Sequence, residues 1–167
     1  QEKRLPYQAD PALPGGAVMQ RPPEGTLPTD APLGEPLFLA GVAGDRWADR
    51  IPMPVDRGVL EAGRRHFDTF CAACHGVLGD GDSVVARRMA LRKPRDLVAD
   101  DVRAYPPGRI FQAVRQGYGL MPSYRVQLGV EDTWGVVAYV RALQLARGAR
   151  VAEIPDDVKA ALAKEAP

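Results

Sequence analysis

The stretch Cys71-Ala72-Ala73-Cys74-His75 decides the fold of this chain. Its pattern, Cys-x-x-Cys-His, is the attachment sequence of a c-type haem. Two thiols at this spacing can reach both vinyl groups of one porphyrin and form thioethers, and the adjacent histidine then falls under the iron. The pattern therefore predicts one covalently bound haem c, with Cys71 and Cys74 as anchors and His75 as one axial ligand.

A Cys-x-x-Cys pair has two other common uses. A zinc site would need further ligands, but the chain has only two cysteines and one other histidine, His66. A dithiol redox site is typical of a strand followed by a helix. Here the residues before Cys71 have a helical pattern and those after His75 form a glycine-rich loop. The context favours the haem.

Length and charge exclude several other classes of protein. The 167 residues suit one modest domain with extensions, and a hydrophobic content of 46% permits a core. With 22 basic and 21 acidic residues, nothing indicates binding to nucleic acid. Residues 55–147 carry 14 Lys/Arg and 10 Asp/Glu, whereas residues 1–54 carry 5 and 7. No apolar run approaches the ~20 residues that span a bilayer.

Residues 1–54 are predicted to form an extended docking arm. They hold 10 of the 16 prolines, and proline at this density blocks regular helix. Composition alone also fits a flexible linker. The arm nevertheless carries apolar side chains for which a solvated linker has little use. These are Tyr7, Met19, Leu37, Phe38, Leu39 and Trp47. We therefore expect the arm to lie against a surface, either of its own domain or of a partner.

Residues 55–147 are predicted to form an all-α domain with three main helices. The first begins at the N-cap Asp56 and runs into Cys71. The second follows Pro106-Pro107 and ends at Gly117. The third has the strongest apolar stripe and ends at Arg147-Gly148. No stretch alternates as a strand does, and residues 148–167 are expected to form a short, charged helical tail.

The first and third of these helices are predicted to cross. Gly63 and Phe67 on one would face Val136 and Tyr139 on the other. A residue without a side chain permits close approach of two helix backbones. Gly63 is therefore interpreted as a folding feature.

Met121 is the predicted second axial ligand. It lies in Gly119-Leu120-Met121-Pro122-Ser123-Tyr124, 46 residues after His75, which is enough chain to reach the other face of a porphyrin. Pro122 stiffens this loop and lowers the entropic cost of holding a weak thioether bond. The alternative is that Met121 fills a gap in the core. The rival ligands are Met89, His66, Met19 and Met53. Met89 is the best of these, and His66 is expected to be solvated.

Several polar groups are predicted to lie around the haem. The carbonyl side of Pro94 is expected to orient the His75 imidazole through its other ring nitrogen. Haem propionates are anions that must be paired or solvated when buried. The predicted donors to them are Arg95, Tyr105, Arg109, Tyr124 and Trp134, each of which could instead be a surface charge or a core aromatic.

From about Pro52 to Gln144 the chain resembles class I cytochromes c. The motifs that carry this resemblance are Cys71-Ala72-Ala73-Cys74-His75-Gly76, Gly79-Asp80-Gly81-Asp82, Met121-Pro122-Ser123-Tyr124 and Trp134-Gly135-Val136-Val137-Ala138-Tyr139-Val140-Arg141-Ala142-Leu143. Within that family it is similar to the monohaem subunits of alternative complex III, a bacterial quinol-oxidising assembly. Residues 21–26 (Arg-Pro-Pro-Glu-Gly-Thr), residues 51–55 (Ile-Pro-Met-Pro-Val), and residues 121–124 followed by 134–144 point to this branch. The chain departs from the family at Ser83, where a glycine is common, and in the arginine-rich segment Arg87 to Arg95.

The resemblance implies a class I cytochrome c fold, with three to five helices around one haem. It also implies an electron carrier, not an enzyme by itself, that passes electrons from a multihaem subunit toward a haem-copper oxidase or a soluble acceptor. Such a subunit of a respiratory or photosynthetic chain is exported to the periplasmic side of the bacterial inner membrane, where a lipid anchor is one means of attachment. The alternatives are a free periplasmic shuttle and a haem peroxidase or gas-binding protein.

Overall fold

A computed structural model describes residues 9–18, 26, 34–150, 152 and 154–165. The chain divides into two compact units, Gln1–Pro32 and Leu33–Pro167. The described part of the first unit contains a 3-10 turn at Pro14–Gly16 and a bridge between Ala9 and Ala17. Tyr7, Met19 and residues 21–25 of the arm motif lie outside the described residues.

The second unit is mainly helical. In chain order its elements are α1 (Pro36–Ala40), β1 (Val42–Ala43), β2 (Arg46–Trp47), α2 (Arg57–Phe70), α3 (Ala72–His75), α4 (Val84–Arg88), α5 (Asp100–Arg103), α6 (Pro107–Gln116), α7 (Val130–Gly148) and α8 (Asp156–Glu165). Within the described ranges, no helix is both long enough and apolar enough to cross a membrane.

Helices α2 and α7 form the central contact of the domain. Gly63 lies so close to α7 that an added Cβ would stand 2.0 Å from the carbonyl oxygen of Gly135. One turn further along, Phe67 packs edge-on against Tyr139 with ring centroids 5.4 Å apart. These contacts confirm the predicted crossing. Asp56 begins α2 as predicted, because its Oδ1 accepts a hydrogen bond of 2.9 Å from the Val59 N–H.

Helix α6 completes the core against α7. The rings of Phe111 and Trp134 stack with centroids 4.2 Å apart and an interplanar angle of 24°. Both side chains are fully buried. Helix α6 follows Pro106 and is capped by Gly117, whose φ of 80° ends the helix as predicted.

The second half of the predicted arm belongs to the domain. The indole N–H of Trp134 donates a hydrogen bond of 2.8 Å to the carbonyl of Phe38. The Ala48 N–H donates to Gly41, and the Gly108 N–H donates to Ala48. The second compact unit, Leu33–Pro167, accordingly includes this part of the arm. Apolar side chains of the arm lie against their own core, which was one of the two predicted outcomes.

The structure adds elements that the sequence did not indicate. Strands β1 and β2 form a two-residue antiparallel hairpin, in which Val42 pairs with Trp47. Helices α3, α4 and α5 have only four or five residues each. The predicted tail contains α8.

Candidate haem-binding site

The attachment motif continues the path of α2. The Cys71 N–H donates to the carbonyl of Phe67, and the His75 N–H donates to the carbonyl of Cys71, each over 2.8 Å. Cys71, Cys74 and His75 therefore share one helical turn. Gly76 ends this turn with a φ of 77°, and a Cβ there would stand 2.7 Å from the carbonyl oxygen of Asp82. Only glycine permits this sharp exit from the motif.

The imidazole of His75 is held by a backbone carbonyl. Nδ1 lies 2.9 Å from the carbonyl oxygen of Arg95, which can only accept, so Nδ1 carries the proton and donates it. Burial is the main cause of a lowered His75 pKa, and the bond to Arg95 partly opposes it. The neutral ring then leaves Nε2 with a lone pair for iron. The predicted carbonyl was that of Pro94; the structure shows that of the next residue, Arg95.

A cavity of about 900 Å³ lies beside this turn. Its wall contains Cys71, Cys74, His75 and, from a different part of the chain, Met121. The volume is within the usual range for cofactor sites. Much of the remaining wall is apolar and comes from α2, α6 and α7: Phe67, Phe70, Ile110, Val114, Val136 and Val140. Two covalent anchors, an imidazole, a thioether and apolar walls are the groups that a haem c requires.

The loop that carries Met121 is tied down by its own backbone. Tyr118 and Met121 exchange both N–H to carbonyl hydrogen bonds, each 3.0 Å long. Gly117 lies so close to this loop that a Cβ would stand 2.6 Å from the Met121 oxygen. The Tyr124 N–H donates to Val114 on α6. The backbone of Met121 is thus positioned without any bond to iron.

The rival ligands occupy different positions. Met89 also lines the cavity and remains an alternative. Met53 packs against the core but is not part of the cavity wall. His66 does not line the cavity; its partly exposed imidazole has Nε2 3.2 Å from Oδ1 of Asp132 on α7. Met19 lies outside the described residues.

Four of the five predicted polar contacts line the cavity: Arg95, Tyr105, Arg109 and Tyr124. The guanidinium of Arg109 lies 3.7 Å above the Tyr105 ring. Arg95 forms an ion pair with Asp101. Burial raises the pKa of Tyr124, so its hydroxyl keeps its proton for donation. Trp134 is placed elsewhere: it is 0% exposed, is not part of the cavity wall, and gives its N–H to Phe38. The prediction that it is a propionate donor is therefore corrected.

The cysteines do not have the properties of a reactive dithiol. Cys71 is 7% exposed. Burial is the main cause that raises the pKa of its thiol to about 12, and the nearby Cys74 and Asp68 add to the effect. Redox-active thiols have lowered pKa values and accessible sulfurs. Among the residues that the structure describes, no three His, Cys, Asp or Glu side chains converge as a metal cluster. The dithiol alternative therefore loses support.

Sequence reasoning did not place several side chains of the cavity wall at the haem, among them Trp47, Arg92 and Lys93. Trp47 reaches the cavity from the hairpin, and Arg92 and Lys93 reach it from the arginine-rich segment. The sequence feature that could have indicated a contact for Trp47 was the presence of a large aromatic residue in a proline-rich arm. Tyr105 and Arg109, which line the same cavity, lie more than 50 residues from Trp47 in the chain. No local sequence pattern therefore placed Trp47 in the cavity wall.

Comparison with known proteins identifies the domain. Residues 58–140, slightly under half of the chain, match the family model described as cytochrome c oxidase, cbb3-type, subunit III. The chain contains a cytochrome c domain. It is also similar to a chain of the reducing HAO-like protein complex of Kuenenia stuttgartiensis, at 22% identity and a TM-score of 0.50, over 65% of this chain and 54% of that one. At this identity the likeness concerns the fold alone. No significant match was found among curated proteins.

A cytochrome c domain binds haem c covalently and carries electrons. The side chains of the cavity fit that cofactor, because the two anchoring thiols and the histidine share one helical turn and lie in the cavity wall. The cytochrome c domain extends beyond the family match in this chain, because residues 34–48 are hydrogen-bonded into the same core.

Proposed function

We propose that this chain is a monohaem electron-transfer subunit in which His75 and Met121 are the two axial ligands. The observation that carries the ligand assignment is the meeting of Cys71, Cys74, His75 and Met121 in the wall of one cavity. Met121 is the better candidate than Met89 because its loop is bonded to itself and to α6. A cytochrome with both axial positions filled transfers electrons without chemistry at the iron.

The residues of the chain have distinct tasks in this function. Haem iron, when bound, supplies one-electron chemistry by alternating between the ferrous and ferric states. The carbonyl of Arg95 holds the His75 ring in one tautomer and one orientation. The loop bonds between Tyr118 and Met121 hold the backbone from which the Met121 side chain extends. The apolar wall excludes water, and a thioether ligand favours the ferrous state, so both raise the reduction potential.

The ligand assignment is tested by paired methionine variants. Met121→Ala should abolish the far-red absorption band of methionine bound to ferric iron, and should allow the ferrous protein to bind carbon monoxide. Met89→Ala is the matched control, since Met89 lines the same cavity. It should retain the band. Loss of the band in Met89→Ala and its survival in Met121→Ala would reverse the assignment. Rapid carbon monoxide binding by the wild-type protein would instead favour a gas-binding or peroxidase-like haem protein.

We further propose that the cytochrome c domain works within a membrane-bound quinol-oxidising complex of the alternative complex III type. It would receive electrons from a multihaem cytochrome subunit and pass them to a haem-copper oxidase or a soluble acceptor, on the periplasmic side of the inner membrane. The support is the resemblance of residues 21–26, 51–55, 121–124 and 134–144 to this branch. The first compact unit, Gln1–Pro32, is an additional segment that a freely diffusing carrier would not need.

This assignment is tested by isolation of the chain from native membranes in mild detergent, with mass spectrometry of the proteins that co-purify. Recovery with a multihaem cytochrome, an iron–sulfur subunit and polytopic membrane proteins would support the complex. Recovery alone in the soluble fraction would make the protein a periplasmic shuttle. Deletion of residues 1–32 should leave the haem spectrum unchanged and weaken the association; unchanged association would refute a docking role for this unit.

A further inference from the structure

We propose that Trp47 is a haem-contact residue, and that its indole N–H donates a hydrogen bond to a haem carboxylate at the mouth of the cavity. The proposal rests on the haem-binding function above. It concerns a side chain outside residues 58–140, the range that matches the cytochrome family model. It gives the hairpin between Val42 and Trp47 a role in binding the cofactor.

The hairpin is fixed firmly enough to position a ligand contact. Gly108, at the start of α6, donates its N–H to the carbonyl of Ala48, the residue that follows Trp47. A Cβ on Gly108 would stand 2.0 Å from the carbonyl oxygen of Gly41, so the two segments are in direct backbone contact. Arg109 follows Gly108 in the chain. The hydrogen bond therefore brings the neighbours of Trp47 and Arg109 together at one edge of the cavity.

Trp47 lies at the boundary between the cavity and solvent. Its side chain is 39% exposed and also forms part of the cavity wall. Within the part of the chain that the structure describes, its indole N–H has no hydrogen-bond partner. The other tryptophan, Trp134, is fully buried and gives its N–H to Phe38. A tryptophan at a boundary between an apolar site and solvent usually places its N–H on a polar group.

The groups beside Trp47 favour a carboxylate as that polar group. Arg109 and Tyr105 line the same cavity, and the Arg109 guanidinium lies over the Tyr105 ring. Trp47, Tyr105 and Arg109 supply three N–H or O–H donors to this cavity. The one carboxylate in the described part of its wall, Asp96, already accepts the Val98 N–H, so the three donors favour an added anion. Haem carries two carboxylates. A hydrogen bond to a charged acceptor is stronger than one between neutral groups.

The contact also predicts an effect on the redox equilibrium. A carboxylate near the iron stabilises the ferric state through its negative charge. The Trp47 N–H partly neutralises that charge and therefore favours the ferrous state. Because the ring also covers the cavity edge, it excludes water and strengthens the same electrostatic interaction.

The test uses the full-length haem protein and the same substitution at both tryptophans. Trp47→Phe keeps an aromatic cover and removes the N–H. Trp134→Phe removes an N–H that points away from the cavity, and is the matched control. In the ¹⁵N-labelled ferrous wild type, the indole signal lost in Trp47→Phe identifies Trp47. Its proton should exchange with solvent about tenfold or more slowly than a free indole proton, as a charge-assisted hydrogen bond requires.

The second readout is the electron-exchange equilibrium with a reference couple. Trp47→Phe should shift this equilibrium toward the ferric state by roughly threefold or more, and Trp134→Phe should leave it unchanged. Free exchange of the Trp47 indole proton in the wild type would overturn the proposal, as would an equal shift in both variants or no shift in Trp47→Phe. A wild type without covalent haem or the methionine band would refute the proposed function instead, so the two failures are distinguishable.

Discussion

The crossing of α2 and α7 predicts opposite outcomes for two glycine-to-alanine substitutions. At Gly63 an added Cβ would stand 2.0 Å from the Gly135 carbonyl oxygen. At Gly135 an added Cβ would meet nothing closer than the Val59 oxygen, at 3.4 Å, which is ordinary contact. Both positions are interior to their helices. The intrinsic helix preference for alanine over glycine is therefore the same at both positions. Only the space available to the added Cβ differs.

The magnitudes follow from these distances. Alanine stabilises a helix interior by about 1 kcal/mol relative to glycine. Overpacking costs typically about 1–3 kcal/mol, and the upper end applies at Gly63 because the obstructing atom is backbone and cannot rotate away. Gly63→Ala should lower the free energy of unfolding by about 2 kcal/mol, which corresponds to a fall in Tm of roughly 5–10 °C. Gly135→Ala should raise the free energy of unfolding by up to about 1 kcal/mol.

Thermal and guanidinium unfolding of the two haem proteins, followed by circular dichroism, measures both effects. The far-red methionine band should be the same in both variants, because neither glycine lines the haem cavity. A Gly63→Ala protein as stable as the wild type would refute the crossing. So would a Gly135→Ala protein that loses as much stability as Gly63→Ala.

The same structure supports two further predictions. Gly108→Ala should lower the unfolding free energy by about 2 kcal/mol or more, because its Cβ would meet the Gly41 oxygen at 2.0 Å; limited proteolysis should then cut within residues 34–48, and an uncut segment would contradict the contact. Ser83→Ala should cost about 1 kcal/mol, because the Ser83 hydroxyl caps α4 through Ala86 and donates to the carbonyl of Cys74. Guanidinium unfolding would measure this loss, and an unchanged midpoint would show that the cap contributes nothing.

Features with a local cause were predictable from the sequence. Asp56 is a good N-cap wherever a helix follows, and Gly117 ends a helix because it adopts a positive φ. The haem attachment motif is local for the same reason, since its spacing alone places Cys71 and His75 on one turn. These features need no knowledge of the rest of the fold.

Features that depend on distant contacts were not predictable. Strands of two residues have no periodicity, and the hairpin that ends at Trp47 is held through backbone contacts to α6. The choice between the carbonyls of Pro94 and Arg95 depends on backbone dihedrals that no composition reveals. Trp134 was predicted to contact the haem because it is an aromatic residue in a family motif. Its orientation depends instead on ring stacking with Phe111 and on the hydrogen bond to the Phe38 carbonyl.

The burial of Cys71 bears on whether haem attachment precedes folding. In the folded chain this thiol lies at the end of α2 with 7% of its surface exposed, and its pKa is raised to about 12. A thiol that is neither accessible nor ionised does not add to a vinyl group at a useful rate. We therefore expect haem to be joined to the chain before α2 and α7 close around the site; attachment to the folded haem-free protein as fast as to the unfolded chain would contradict this.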